Sequence, residues 1–167
     1  MSNKVFYSLV AVFIIASTVF WIYMFQDNSS SAPFPNSQTA DVDMEGVTLT
    51  MYHSPTCGCC VNWAKYLEDH GVEVITEETM NVYSVKEEHG VPNQLSSCHT
   101  AVVDGYVVEG HVPVEDIQRL LAERPDVTGI AVPGMPQNSP GMDMPSDETY
   151  QSVLFDGETV TVYNTHN

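Results

Sequence analysis

Three hydrophobic regimes follow one another along the chain. Residues 5–25, "VFYSLVAVFIIASTVFWIYMF", are apolar apart from Ser and Thr. Residues 27–45 are rich in Ser, Asn, Pro and Asp and have no apolar period. From residue 46 on, short runs alternate or recur at helical spacing. "VTLTMY" (47–52) is β-branched and alternating and predicts a strand, broken by Ser54-Pro55-Thr56. A helix is expected from Gly58 to Asp69, with Trp63, Tyr66 and Leu67 inward and Gly71 as its stop. "VEVIT" (72–76) predicts a second strand, and "MNVYSVKEEHG" (80–90) a short helix. "TAVVDGYVVEG" (100–110) predicts a hairpin turning at Asp104-Gly105. Pro113 then opens a helix with Glu115 and Asp116 in its first turn. Ile117, Leu120 and Leu121 form its apolar stripe, and Pro125 ends it. Beyond the loop "AVPGMPQNSPGMDMP" (131–145), "YQSVLF", Asp156-Gly157 and "TVTVYN" predict a second hairpin.

The predicted order is β-α-β-α-β-β-α. This is the layout of an α/β, thioredoxin-like three-layer fold lacking its first strand and helix, with a Met-rich loop and a hairpin added at the C-terminal end. The Cys57-x-x-Cys60 pair falls at the start of the first helix, where that fold keeps its redox pair. One departure stands out. Thioredoxin-like folds place a cis-proline before the third strand, and here "SSCHTAVV" puts Cys98-His99 in that place, with Pro92 too early.

The apolar run divides the chain into residues 1–26, 27–45 and 46–167. As a helix it is about 31 Å long, close to the ~30 Å hydrocarbon core of a bilayer. It is longer than a usual signal-peptide core, and Pro33 follows the best small-residue cleavage site, Ser30-Ser31-Ala32. With Lys4 inside and Asp27 outside, residues 1–26 are expected to form an uncleaved anchor rather than a removed signal. Residues 27–45 are then a flexible acidic linker, and residues 46–167 a domain outside the cytoplasm. Under either reading of the anchor the cysteines work where disulfides are permitted. Acidic residues number 22 against 5 basic ones, for a net charge of −17. Nucleic acid is excluded as a partner by such a surface. The scarcity of lysine fits a protein built for high salt.

The chain has four cysteines, and three of them lie in "SPTCGCCVNW" as Cys57, Cys59 and Cys60. A helix N-terminus carries partial positive charge, which favours thiolate. Cys98 precedes the strand that would lie beside that helix end, so four thiols are expected to converge. Two disulfides are one reading, restricted by the adjacency of Cys59 and Cys60. Zinc is a second, although structural zinc sites usually use two separated pairs. Cu(I) is a third, since it is soft and prefers thiolate and thioether. The loop supplies thioethers from Met135, Met142 and Met144, and Pro-Gly-Met occurs twice in it. This pairing of Cys with Met favours copper, although each Met on residue type alone would more often cap an apolar pocket. His99 adjoins Cys98 as a ligand or as a group orienting one. His111, before a helix start, is a further ligand candidate or a buried capping histidine. His53 is expected to point along its strand, and His70, His89 and His166 to lie on the surface.

At "YHSPTCGCC", "SCHTAVVDGYVVEGHVP", "DIQRLLAERP" and "AVPGMPQNSPGM" the chain resembles the CopG-like copper-resistance family, from about Val47 to Tyr163. The resemblance implies an extracytoplasmic, thioredoxin-like domain whose cysteines hold a multinuclear copper cluster and interconvert Cu(I) and Cu(II). It carries Cys57, Cys59, Cys60 and Cys98 over as copper ligands. Copper ions, copper donors and the efflux or oxidase proteins of a copper-resistance system are the partners it implies. The rival expectation is a thiol–disulfide oxidoreductase using Cys57 and Cys60. Cys59 and the missing proline speak against it.

Overall fold

The computed structural model describes residues 42–142 and 144–167. The apolar run at 5–25 and most of the acidic linker lie outside them. Among the described residues no helix is long and apolar enough to cross a membrane.

The chain forms a mixed α/β fold. In order these are β1 (Thr48–His53), α1 (Gly58–Glu68), β2 (Glu73–Glu78), α2 (Val82–Glu88), a 3-10 turn (Asn93–Leu95), β3 (His99–Val103), β4 (Tyr106–Glu109), α3 (Val114–Glu123), β5 (Gly129–Ala131), β6 (Tyr150–Asp156) and β7 (Thr159–His166). The order expected from the pattern through α3 is therefore present. Seven strands make one sheet in the order β2-β1-β3-β4-β5-β6-β7. β1 runs parallel to β2 and antiparallel to β3, and β3 and β4 form the hairpin.

β5 was not expected from the sequence. It is three residues long, inside a stretch that reads as loop. It pairs parallel with β4 and antiparallel with β6, so the C-terminal hairpin continues the main sheet. Its pairing depends on Gly129, since a Cβ there would lie 2.2 Å from the Val107 carbonyl oxygen.

Strand alternation sorts the sheet into two buried faces. Leu49, Met51, Ala101, Val103, Val108 and Ile130 meet α1 and α3 on one side. α1 contributes Cys60, Trp63, Ala64 and Leu67, spaced at i, i+3, i+4 and i+7 along one face, and α3 contributes Val114, Ile117 and Leu120. Val107, Ala131, Val153 and Phe155 face the other way, toward Val91 and Leu95. This two-sided burial is why β4 is buried at every position, including the charged Glu109 at its end. The β3–β4 turn has positive φ at both Asp104 and Gly105 (47° and 88°), the geometry that an Asp-Gly pair supplies with least strain. At the N-terminal edge, Met44 is buried against the core, and the Val42 carbonyl accepts a hydrogen bond from Gln118.

Candidate metal centre

α1 begins immediately after Cys57, with no side chain capping its first turn. Its unsatisfied N–H groups therefore point toward the cysteines. Cys57 and Cys60, one turn apart with Cα atoms 5.4 Å from each other, are joined as a disulfide. Cys59 and Cys98 are free thiols. Cys59 Sγ lies 3.6 Å from Cys57 Sγ and 3.8 Å from Cys98 Sγ. All four sulfurs fall within 4.8 Å of one another, although Cys98 is 39 positions from Cys59. Among the described residues the structure thus contains one disulfide, not two.

A second group of donors shares Cys98. Cys98 Sγ lies 3.0 Å from His111 Nε2 and 3.6 Å from His99 Nδ1. These three atoms also fall within 4.8 Å of one another. His111 Nδ1–H donates to the Pro140 carbonyl oxygen at 2.8 Å. A carbonyl can only accept, so this bond places a proton on Nδ1 and leaves Nε2 facing the sulfur. His99 is fully buried, its ring tilted against Trp63 at 4.4 Å and edge-on to His111 at 5.0 Å. Burial, then the nearby His111, Lys86 and His53, hold its pKa well below the usual histidine value, so it stays neutral. Its Nε2 is buried without a hydrogen-bond partner. The Cys98 thiol is pushed up to about 12, first by burial and then by Cys59. Without metal Cys98 therefore keeps its proton, and a soft cation must displace it.

The Met-rich loop is anchored at both ends beside the site. Gly134 N–H donates to the Ser96 carbonyl, and the Ser97 hydroxyl donates to the Gly134 carbonyl. The second Pro-Gly-Met sits on α1. A Cβ at Gly141 would lie 2.6 Å from Trp63 N, and its carbonyl accepts from Asn62. Met142 is half-buried. Met135 and Met144 are exposed, at 57% and 49%. The loop backbone thus bridges the Cys98 turn and the α1 start, and the Pro140 carbonyl that orients His111 belongs to it.

Two histidines depart from expectation. His53 is buried, on the same strand face as Leu49 and Met51 and across from His99. The alternation of "TMYH" carried that signal. His166 is not a free surface residue: its Nε2 lies 2.7 Å from the buried Asp116 carboxylate. The sequence also gave no hint of a buried ion pair between Lys86 and Glu109 at 2.6 Å. It forms because α2 crosses the sheet opposite the end of β4, a tertiary placement without local signature.

The donor set of four sulfurs and two imidazoles fits a thiophilic metal. A family described as "Protein of unknown function, DUF411" matches residues 95–142, which hold Cys98, His99, His111, Met135 and Met142. No curated protein matches the chain. Among solved structures, "Copper resistance protein copG- Form 2" is 40% identical with a TM-score of 0.69, covering 74% of this chain and all of that one. "Copper resistance protein copG- Form 1" is 41% identical with a TM-score of 0.67, covering 72% of this chain and 97% of that one. At that identity and coverage, the chain belongs to the CopG family of copper resistance proteins.

Proposed function

We propose that the protein binds copper in copper resistance, as a thioredoxin-like domain held outside the cytoplasm by the anchor at residues 1–26. The observation that carries this reading is the convergence of four sulfurs from two distant segments. Two-electron reduction of the Cys57–Cys60 bond by an external thiol would free two further thiols, and four cysteines crowded at one helix start would then suit soft Cu(I). Cys57, Cys59, Cys60 and Cys98 are the inner ligands. His111 and His99 offer nitrogen on the far side of Cys98, the donor type that suits Cu(II) better than thioether does. A site with sulfur on one side and imidazole on the other is suited to interconverting the two copper states. The exposed thioethers of Met135 and Met144 and the half-buried one of Met142 would accept or release Cu(I). Copper donors and efflux or oxidase proteins are the exchange partners.

Anaerobic titration of the reduced full chain against a chromophoric Cu(I) competitor tests the reading. More than one Cu(I) should bind, with little competition from zinc. The Cys57–Cys60 disulfide is the one observation that favours a second reading, a thiol–disulfide oxidoreductase. Insulin reduction at a thioredoxin-like rate, without Cu(I) binding, would favour it.

A further inference from the structure

Cys98 has no helix of its own. It stands in the turn before β3, and that turn is held from the other face of the sheet. Glu109, the last residue of β4, is fully buried and by strand alternation shares the face of Val107, opposite the one that packs against α1. One carboxylate oxygen accepts the Ser97 backbone N–H at 2.5 Å and the Lys86 ammonium at 2.6 Å. The other accepts the Thr100 hydroxyl at 2.7 Å, and Lys86 also donates to Thr100 Oγ1 at 3.1 Å. Ser97 immediately precedes Cys98, and its hydroxyl holds the Gly134 carbonyl of the first Pro-Gly-Met. One residue after Glu109, the Gly110 N–H donates to the His99 carbonyl. A Cβ at Gly110 would lie 2.5 Å from Ser97 Oγ, so the two turns touch.

From this geometry we infer that Glu109, charge-balanced by Lys86, is the positioning residue for Cys98 and for the first Pro-Gly-Met turn, acting through Ser97. Its side-chain hydrogen bonds go to Lys86, Ser97 and Thr100, none of them a candidate ligand. Resting on the copper reading, it explains how a cysteine in a turn is held in reach of α1. A carboxylate accepting a backbone N–H does so more strongly than a neutral acceptor, and the low-dielectric interior strengthens the bond further. Lys86 supplies the countercharge that offsets the cost of burying a carboxylate. Thr100 fills the remaining acceptor site, so the network leaves no carboxylate oxygen unpaired.

The test separates the backbone hydrogen bond from the ion pair. In a full chain carrying Cys57→Ser and Cys60→Ser, Cys59 and Cys98 are the only cysteines. The rate at which a mild oxidant joins them reports their approach without any metal. Lys86→Met with Glu109→Gln removes both charges but keeps a carbonyl acceptor for Ser97. Lys86→Met with Glu109→Leu removes the acceptor too. Closure should stay within threefold of the parent in the first and slow at least tenfold in the second. In the four-cysteine chain the second should also bind fewer Cu(I), matching Cys98→Ser. Equal closure rates in the two variants would overturn the inference, and would do so whether or not the wild-type chain binds copper. Exchange of the Ser97 amide proton in the unmodified chain gives a readout that needs no variant to fold. Protection comparable to that of the β3 and β4 amides supports the inference, and exchange at the rate of an exposed loop amide overturns it.

Discussion

The β3–β4 hairpin turns on Asp104-Gly105 as expected, whereas the β6–β7 hairpin turns one residue later than expected, on Gly157-Glu158 with Asp156 paired to Thr159, and their open ends do different work. In the first, both strands are buried and the ends converge on His99, Glu109, Gly110 and His111. In the second, β7 is the sheet edge with Val160 and Val162 exposed. The ends meet at Tyr150 and His166, stacked at 4.8 Å. A buried carboxylate stands at each open end. Glu109 binds a backbone N–H and a buried cation beside the candidate ligands. Asp116 accepts from Ser152, Asn164 and His166 and so ties α3 to the last two strands. Turn chemistry therefore places each hairpin's reversal to within a residue. What its far end does depends on which strands and helices cover it.

Glu109→Ala should be the most damaging change to either end. It leaves the buried Lys86 ammonium without its partner, a defect that costs about 3–5 kcal/mol. Chemical denaturation of the full chain would read it as a large fall in the midpoint. Asp116→Ala should cost less, about 1–3 kcal/mol, because Asn164 is exposed and His166 is half-exposed, leaving the Ser152 hydroxyl as the main orphan. It should leave Cu(I) binding intact. If the two variants lose equal stability, or Asp116→Ala loses copper, the contrast between the hairpins is wrong.

A smaller effect follows from His99 at the end of β3. Its folded pKa is depressed by burial below the ordinary value of 6.5. The unfolded chain therefore takes up a proton that the native state refuses. The full contribution is present above about pH 6.5 and is lost as pH falls below it, by at most about 1.4 kcal/mol per pH unit for this one group. Melting curves at pH 7.5 and pH 5.5 should diverge more for the parent than for His99→Gln. An equal pH dependence in both would place the titrating group elsewhere.

The elements of the first hairpin and the cysteine cluster at the start of α1 were legible because they rest on local chemistry, and the approach of Cys98 across 39 positions followed from the order of the elements. An Asp-Gly turn, a helix opened by Pro113 and a Cys cluster at a helix start each announce themselves within a few residues. β5 did not, because three residues become a strand only when β4 and β6 flank them. Lys86, Ser97 and Glu109 gave no signal either. They lie in three separate elements, and in sequence Lys86 and Glu109 look like two more charges on an acidic surface. His53 was legible from strand alternation and was misread, while the bond from His111 to Pro140 spans 29 positions and required the fold.

The central claim is that a residue in the turn before β3 completes a copper site begun on α1. Anaerobic Cu(I) titration of the reduced full chain, beside Cys59→Ser and Cys98→Ser, tests it most directly. The wild type should bind more than one Cu(I), and the two variants should lose binding to a similar extent, since their sulfurs lie 3.8 Å apart. Saturation of the wild type at one copper, or undiminished binding by Cys98→Ser, would contradict the account.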